Sequence, residues 1–366
     1  MSRRLLAVSH PAVVGVNQLV YRELRARGWE VTVVLPRAWR HDYASGPVVP
    51  EPVAGLEGAL HPARVAFTGR PQRHIYLERC GALCNRFAPD VAFLEAEAFS
   101  LPAIQWSRAL ARRGIPFGVQ AAENIDRRLP APLRWQRSRV LAQASFVAAR
   151  AEGAGRLAHS WGARGTIGIA PHAVPGWETV SESPVRPFTV GYAGRLVESK
   201  GLLDLVAAMR QLAGPVELIL IGNGELRREL DGAPIPGSSV RVLDGYSHEQ
   251  MASAYGLFDV LVLPSRTTPS WKEQFGRVLV EALWCGVPVV GSDSGEIPWV
   301  IERTGGGLIF PEGDSAALAE RLRQLRGDPE LRARLAATGR ASVERQFSLP
   351  AATDALEELL EGAARG

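Results

Sequence analysis

The sequence predicts an α/β protein of two doubly wound parallel sheets, and three observations carry that expectation. Short apolar, β-branched runs alternate with helix-period stretches from end to end, as parallel strands covered by helices on both faces require. The alternation breaks at Val174–Pro187, where three prolines and a glycine stand without any period. At 366 residues the chain is long for one core and natural for two units of ordinary domain size.

Taken in order, the apolar runs of the first half predict strands at Leu5–Ser9, Glu30–Leu35, Val91–Glu95, Phe117–Gln120, Phe146–Ala149 and Thr166–Ala170. Between the first two, Asn17–Arg27 has helical spacing, with Leu19, Val20 and Leu24 near one face and Gly28 placed to stop it. After the break, strands are predicted at Phe188–Ala193, Val216–Ile221, Val240–Leu243, Val260–Leu263, Val287–Gly291 and Gly307–Phe310. A final helix over Pro350–Glu361 carries Leu356, Leu359 and Leu360 as its apolar stripe.

Composition narrows the class. Basic residues followed by Leu5–Ser9 open the chain, but the apolar run is far too short for a signal peptide or a bilayer span and fits a buried strand. Three cysteines, Cys80, Cys84 and Cys285, have no metal-ligand spacing and form no even disulfide set, which fits a reducing cytoplasm. Cys80 and Cys84 fit small core residues better than a redox pair. Residues 1–150 hold 21 Arg and Lys against 11 Asp and Glu, whereas the remainder holds 21 against 27, so the front half is the basic half. Such asymmetry points the first domain toward something anionic. Ile104–Gly114 and Pro132–Ala142 combine Trp106 and Trp135 with arginines, and each fits either an interfacial helix on an anionic membrane or a core-anchored helix with solvated cations. No aromatic-basic reading motif favours nucleic acid as a partner.

Ligands of open parallel sheets sit beyond the carboxyl ends of the strands. Gly191-Tyr192-Ala193-Gly194-Arg195 ends one predicted strand and leads through Glu198-Ser199-Lys200-Gly201 into a helix. Glycines let a backbone come close, and Arg195 and Lys200 suit a diphosphate near a helix start; solvated cations on a turn fit equally well. Ile221-Gly222-Asn223-Gly224-Glu225 is a second loop of the same kind, weak by itself. In the third segment Glu273 and Glu281 stand eight apart, the first in a polar loop and the second within an amphipathic helix over Gly276–Trp284. Amid apolar neighbours the Glu281 charge needs a partner, such as a ligand hydroxyl, unless the residue lies on a solvated face.

Glu273 and Glu281 with Phe275-Gly276 between them resemble the paired-glutamate signature of retaining GT-B glycosyltransferases, and the chain is similar to family four of that group. Gly194-Arg195, Lys200-Gly201, Gly222-Asn223-Gly224-Glu225 and Gly286-Val287-Pro288-Val289-Val290 match in order and spacing, covering most of residues 188–347. The resemblance implies two Rossmann-like domains facing a central cleft. Residues 1–173 form the acceptor side, 174–187 the linker and hinge, and 188–347 the donor side, with 348–366 crossing back as a helix. It further implies that Arg195 and Lys200 bind the donor diphosphate, Glu281 the ribose hydroxyls and Glu273 the transferred sugar. Gly194, Gly222, Gly224, Phe275, Gly276 and Arg277 complete the donor side.

The first domain matches less well. Where relatives carry paired glycines after the first strand, this chain has Ser9-His10-Pro11-Ala12-Val13-Val14-Gly15-Val16-Asn17. His10 and Gly15 become acceptor-side candidates, and Asn17 is either another or a helix N-cap. Where many relatives place a histidine, this chain has Gln120-Ala121-Ala122-Glu123-Asn124, which adds Glu123 and Asn124.

The activity implied is transfer of a hexose-type sugar from a nucleotide diphosphate sugar to a glycan, lipid-linked or small-molecule hydroxyl. Configuration is retained, a leaving-group phosphate oxygen takes the acceptor's proton, and no cofactor is expected. There is no Asp-x-Asp motif, so nothing in the sequence requires a metal. The expected location is the cytoplasm or the inner membrane face. The alternatives are a nucleotide-sugar epimerase and a non-catalytic nucleotide-sugar binder of the same fold. A pyridoxal-dependent phosphorylase is disfavoured, because Lys200 and Lys272 are the only lysines and both have other plausible roles.

Overall fold

The computed structural model describes residues 3–40, 46–178, 187–243, 246 and 248–365, so residues 179–186 of the proline-rich break lie outside the described residues. The chain divides into two compact units, Met1–Pro175 with Leu349–Gly366, and Gly176–Ser348. Each is a Rossmann-like α/β unit on a wholly parallel sheet.

Strands of the first unit are β1 (Arg4–Ser9), β2 (Glu30–Pro36), β3 (Trp39–Arg40), β4 (Pro47–Val48), β5 (Leu60–Ala63), β6 (Val65–Ala66), β7 (Ile75–Tyr76), β8 (Val91–Glu95), β9 (Phe117–Ala121), β10 (Phe146–Ala149) and β11 (Thr166–Ile169). Seven of these form the sheet in the order β11-β10-β9-β8-β1-β2-β5, while β3 with β4 and β6 with β7 make short antiparallel ribbons. The edge strand β5 was not expected from sequence. Leu60-His61-Pro62-Ala63 has no apolar run, and its proline is tolerated because an edge leaves one side unpaired.

Alternation along β1 divides the core into two layers. Leu6 and Val8 face one layer with Cys80, Cys84, Trp106, Leu110, Val140 and Ala154, whereas Leu5 and Ala7 face the other with Tyr21, Leu24, Leu356, Leu359 and Leu360. Helices α1 (Leu19–Ala26) and α13 (Leu349–Arg365) thus cover one face, and α2 (Cys80–Phe87), α3 (Leu101–Ala111), α4 (Ala131–Gln143) and α5 (Glu152–Ser160) the other. The C-terminal helix is fixed to the first unit by polar contacts as well. Glu357 accepts from Trp29 Nε1 at 2.8 Å and pairs with Arg27, also at 2.8 Å.

The two readings left open for each tryptophan segment of this unit divide differently. Trp106 is fully buried, so the segment Ile104–Gly114 has no tryptophan to offer a membrane; its helix turns the ring inward because the sheet face must be covered by its largest apolar group. On α4, Trp135 is 57% exposed while Arg137 is buried and stacks 3.8 Å from the Trp161 ring centre. Among the described residues no helix is long and apolar enough to cross a membrane.

In the second unit β12 (Phe188–Ala193), β13 (Val216–Ile221), β14 (Ser238–Leu243), β15 (Val260–Leu263), β16 (Val289–Ser292) and β17 (Gly307–Phe310) form a sheet in the order β14-β13-β12-β15-β16-β17. All pairings are parallel, and the buried runs Val260–Leu263 and Val289–Ser292 lie wholly inside, as covered parallel strands do. Helices α6 (Leu202–Met209), α7 (Arg227–Leu230), α8 (Met251–Tyr255), α9 (Arg277–Trp284), α10 (Ile297–Thr304), α11 (Ser315–Gly327) and α12 (Pro329–Gln346) follow the strands.

Leu360, fully buried between α13 and the first sheet, tests how firmly the terminal helix holds its unit. Leu360→Ala is expected to cost about 2–5 kcal/mol. The check is a lowered urea midpoint, and an unchanged midpoint would show α13 to be dispensable.

Candidate functional site

In the second sheet the strand order reverses between β12 and β15, which are hydrogen-bonded neighbours with Val190 opposite Val260. A crevice beyond the carboxyl ends opens where connections leave in opposite directions. The loops after β12, β13 and β15 all reach this point. Gly194 N donates to Ile221 O at 2.9 Å, and Leu196 N to Asn223 O at 2.9 Å, lacing the first two together. Gly222 has φ +143°, and a Cβ there would lie 1.9 Å from Gly194 O. Gly201, the residue before α6, has φ +66°, and its Cβ would meet Pro264 O at 1.9 Å. Neither contact leaves room for a side chain, so glycine is required for three loops to converge.

Two cations stand in these loops. Arg195 is half-buried, and among the described residues its guanidinium makes no hydrogen bond or ion pair; its carbonyl accepts from the buried Tyr192 hydroxyl at 2.7 Å. Lys200 Nζ lies 2.6 Å from Glu273 Oε2 and 4.6 Å from the centre of the Trp271 ring. Both members of the ion pair are largely buried, with 13% and 11% of their side chains exposed, and Ser265 Oγ donates to the same carboxylate at 2.9 Å. Beside them a cavity of about 540 Å³ is lined by Glu198, Glu225, Arg266, Thr267, Thr268 and Trp271, among others. One wall is fixed by Arg266, which grips Asp204 through two bonds of 2.6 and 2.5 Å.

The two glutamates read together in sequence have different surroundings. Glu281 is buried on α9 and accepts from the Tyr255 hydroxyl at 2.6 Å, so the chain itself supplies a hydroxyl to this carboxylate. Tyr255 came to light only in the structure, because it lies 26 residues away on another helix. Its phenol is pushed well above its ordinary value by burial and by the adjacent Glu281 charge, and it therefore remains a hydrogen-bond donor. Gly276 precedes α9 with φ +78°, Arg277 begins the helix, and Phe275 is buried against Trp299 and Phe347.

In the first sheet the order reverses between β1 and β8. His10 follows β1 and meets the rings of Trp39 and His74 at 5.1 and 5.3 Å; burial and the neighbouring His74 lower it to about 3, so it is neutral at physiological pH. Its Nδ1 is buried with no hydrogen-bond partner among the described residues. Gly15 starts a 3-10 turn, and a Cβ there would stand 3.1 Å from Val53. Asn17 is not the helix N-cap: α1 starts two residues later behind Gln18, and the Asn17 amide donates to Pro11 O at 2.9 Å, bracing the loop. Glu123 pairs with Arg127 at 2.6 Å, and Asn124 beside it is buried.

Sequence reasoning overlooked the carboxylates beneath them. Glu95 ends β8 and accepts from Ser9 Oγ at 2.5 Å, Tyr21 OH at 2.7 Å and Arg150 at 2.7 Å. Glu97 accepts the backbone N–H groups of Ala122 and Glu123 at 2.7 and 2.9 Å, and burial raises it from 4.5 to about 7. Nothing but a strand-end acidic pair, Glu95-Ala96-Glu97, signalled them in the sequence.

Two Rossmann-like units with glycine-laced loops at a strand-order reversal are the GT-B architecture. Residues 177–342 match the family model described as glycosyl transferases group 1, and this stretch of the chain is a domain of that kind. A curated relative, the lipopolysaccharide core biosynthesis glycosyltransferase LpsE of Rhizobium meliloti, is 34% identical over 184 residues, 50% of this chain and 51% of the relative. A GDP-mannose-dependent monoacylated alpha-(1-6)-phosphatidylinositol monomannoside mannosyltransferase of Corynebacterium glutamicum is 32% identical over 177 residues, 47% of this chain and 46% of the relative. The chain spans about half the length of the curated relatives it matches. Among solved structures, sucrose-phosphate synthase of Thermosynechococcus elongatus superposes with a TM-score of 0.75 at 20% identity over 98% of both chains. Anabaena HepE, solved with UDP and glucose, gives 0.73 at 18% identity over 98% of this chain and 99% of that one. At these identities the two structures establish a shared fold.

Two outcomes follow for the buried charges. Lys200→Met leaves Glu273 buried without its counter-ion and is expected to cost about 3–5 kcal/mol, whereas Lys200→Met with Glu273→Gln recovers much of the loss; thermal melts of both variants decide it. Glu97 has a raised carboxyl, so its contribution to stability is full below 4.5 and is lost as pH rises through about 7. Glu97→Gln removes that loss, and denaturant titrations across this window are expected to show a flatter pH dependence than the parent.

Proposed function

We propose that the chain transfers a hexose-type sugar from a nucleotide diphosphate sugar to a hydroxyl acceptor, with retention at the anomeric carbon. The observation that carries this reading is the placement, on the loop after β12 at the β12/β15 reversal, of Lys200 and of an Arg195 guanidinium that makes no hydrogen bond or ion pair among the described residues. Rupture of the bond between the anomeric carbon and the diphosphate oxygen leaves negative charge on the phosphates and an oxocarbenium-like sugar. Fixed cations at that place stabilise the departing charge. The acceptor oxygen then bonds to the anomeric carbon on the face the diphosphate leaves, and its proton goes to a phosphate oxygen.

Arg195 and Lys200 hold the diphosphate in this scheme, Glu273 orients sugar hydroxyls, and Glu281 the ribose. Gly194, Gly222, Gly224, Phe275, Gly276 and Arg277 shape the donor wall. On the acceptor side His10, Gly15, Asn17, Glu123 and Asn124 lie on the loops after the strands of the first sheet. The acceptor is a glycan, a lipid-linked sugar or a small molecule. The group 1 domain match and the named activities of the curated relatives support transfer of a sugar.

Calorimetric titration with UDP, GDP, ADP and dTDP, with and without magnesium, tests the donor half. One nucleotide is expected to bind preferentially, and Arg195→Ala is expected to weaken it about tenfold or more, the value of a charge-assisted hydrogen bond. Equal affinity in parent and variant would remove Arg195 from the site and the reading with it.

A further inference from the structure

Where the first sheet reverses its strand order, Ser9 and Glu95 stand opposite each other at the ends of β1 and β8. The residues that follow them leave the sheet side by side. His10 opens the stretch before α1, and Ala96-Glu97 opens the short turn before α3. A ligand crevice belongs at such a place, as it does in the second sheet.

The two reversals differ in charge. Arg195 and Lys200 follow β12, whereas residues 10–18 and 96–100 contain neither arginine nor lysine. Arg150, whose charge is felt at Glu97, is committed to Glu95 at 2.7 Å, and Arg127 to Glu123 at 2.6 Å. A phosphate or carboxylate entering here would meet the Glu97 carboxyl with no cation in either stretch to offset it.

Two side chains at this reversal have atoms that the fold leaves unused. Glu97 is only 8% exposed; its Oε1 takes the backbone N–H bonds of both Ala122 and Glu123, and among the described residues its Oε2 takes none. The Glu97 carbonyl accepts from Ser100 N at 2.8 Å, which fixes the residue in its turn. Among the described residues neither ring nitrogen of His10 makes a hydrogen bond, and Nδ1 is enclosed, which leaves Nε2 as the nitrogen a ligand reaches. Trp39 and His74 pack against this ring, and His74 acts as a positioning residue whose own Nδ1 donates to Pro71 O at 3.0 Å.

Glutamine at position 97 would keep both backbone bonds without a buried charge, and phenylalanine at position 10 would keep the ring contacts without a buried nitrogen. The costlier side chains gain nothing from the fold, so their free atoms serve something outside it. Burial also holds His10 neutral and raises Glu97 to about 7, forms that exchange hydrogen bonds with hydroxyls in either direction.

We infer that Glu97 Oε2 and His10 Nε2 take two hydroxyls of an uncharged sugar or polyol, so that the acceptor enters the first unit by a neutral, polyhydroxylic face. Calling that molecule the acceptor rests on the proposed sugar transfer. The subsite itself uses residues of the first unit alone.

The test is saturation-transfer NMR on the whole chain with the methyl pyranosides of glucose, galactose, mannose and N-acetylglucosamine, and with myo-inositol, each beside its monophosphate. Calorimetry with UDP, GDP, ADP and dTDP reports the second unit separately. Glu97→Gln retains an acceptor for the two backbone N–H groups and His10→Phe retains the ring contacts, so both variants keep the local packing. At least one neutral compound is expected to bind more tightly than its monophosphate, weakened about tenfold by Glu97→Gln and about threefold or more by His10→Phe. Preference for the monophosphates overturns the inference, as does failure of every neutral compound to bind or binding that neither substitution alters; the nucleotide titration then shows by itself whether the donor reading stands. Sugar binding sensitive to both substitutions, with no nucleotide bound, supports the subsite and removes the donor reading instead.

Discussion

The side-by-side pairing of β12 and β15 is the constraint on which the second unit's site depends. Chain leaves these neighbours in opposite directions, from β12 toward β13 and from β15 toward β16. Loops far apart in sequence are therefore brought to one place by the sheet itself. The packing there is tight enough to fix residue type: at Gly201 and Gly222 the backbone of a neighbouring loop already occupies the position a Cβ would take.

Electrostatics then give each charge in this crevice a distinct condition. Lys200 compensates Glu273, and burial of both makes the compensation necessary. Any anion that draws Lys200 away leaves Ser265 still donating to that carboxylate. Arg195 has no such obligation. Glu281, the second carboxylate of the pair, accepts from Tyr255 instead of from a cation. The glutamates therefore differ in partner and environment despite their single motif.

The first unit uses the same architecture differently. Its reversal point is occupied by a buried network in which Glu95 is satisfied by Ser9, Tyr21 and Arg150, tying β1, α1 and β8 to the loop after β10. Beside it His10 is neutral within a cluster of rings.

Much of the fold was legible because a strand buried on both faces must be a short apolar run. Val91–Glu95, Phe146–Ala149, Phe188–Ala193, Val216–Ile221 and Val260–Leu263 have the same limits in sequence and structure, and so has the edge strand Gly307–Phe310 with its apolar Leu308, Ile309 and Phe310. The edge strand Leu60–Ala63 and the two-residue ribbons were not legible, since Leu60-His61-Pro62-Ala63 has no apolar run and two residues are too few to show a period. In the donor loops the sequence by itself determined residue types: glycines where chains touch, cations beside them, and carboxylates at a fixed spacing. Partnership was decided by tertiary structure alone. That Glu273 takes Lys200, that Glu281 takes Tyr255 and that Trp106 turns inward all depend on contacts across many residues. A single chain position carries the chemistry of its own side chain, but its neighbours in space are set by how the sheet orders its strands.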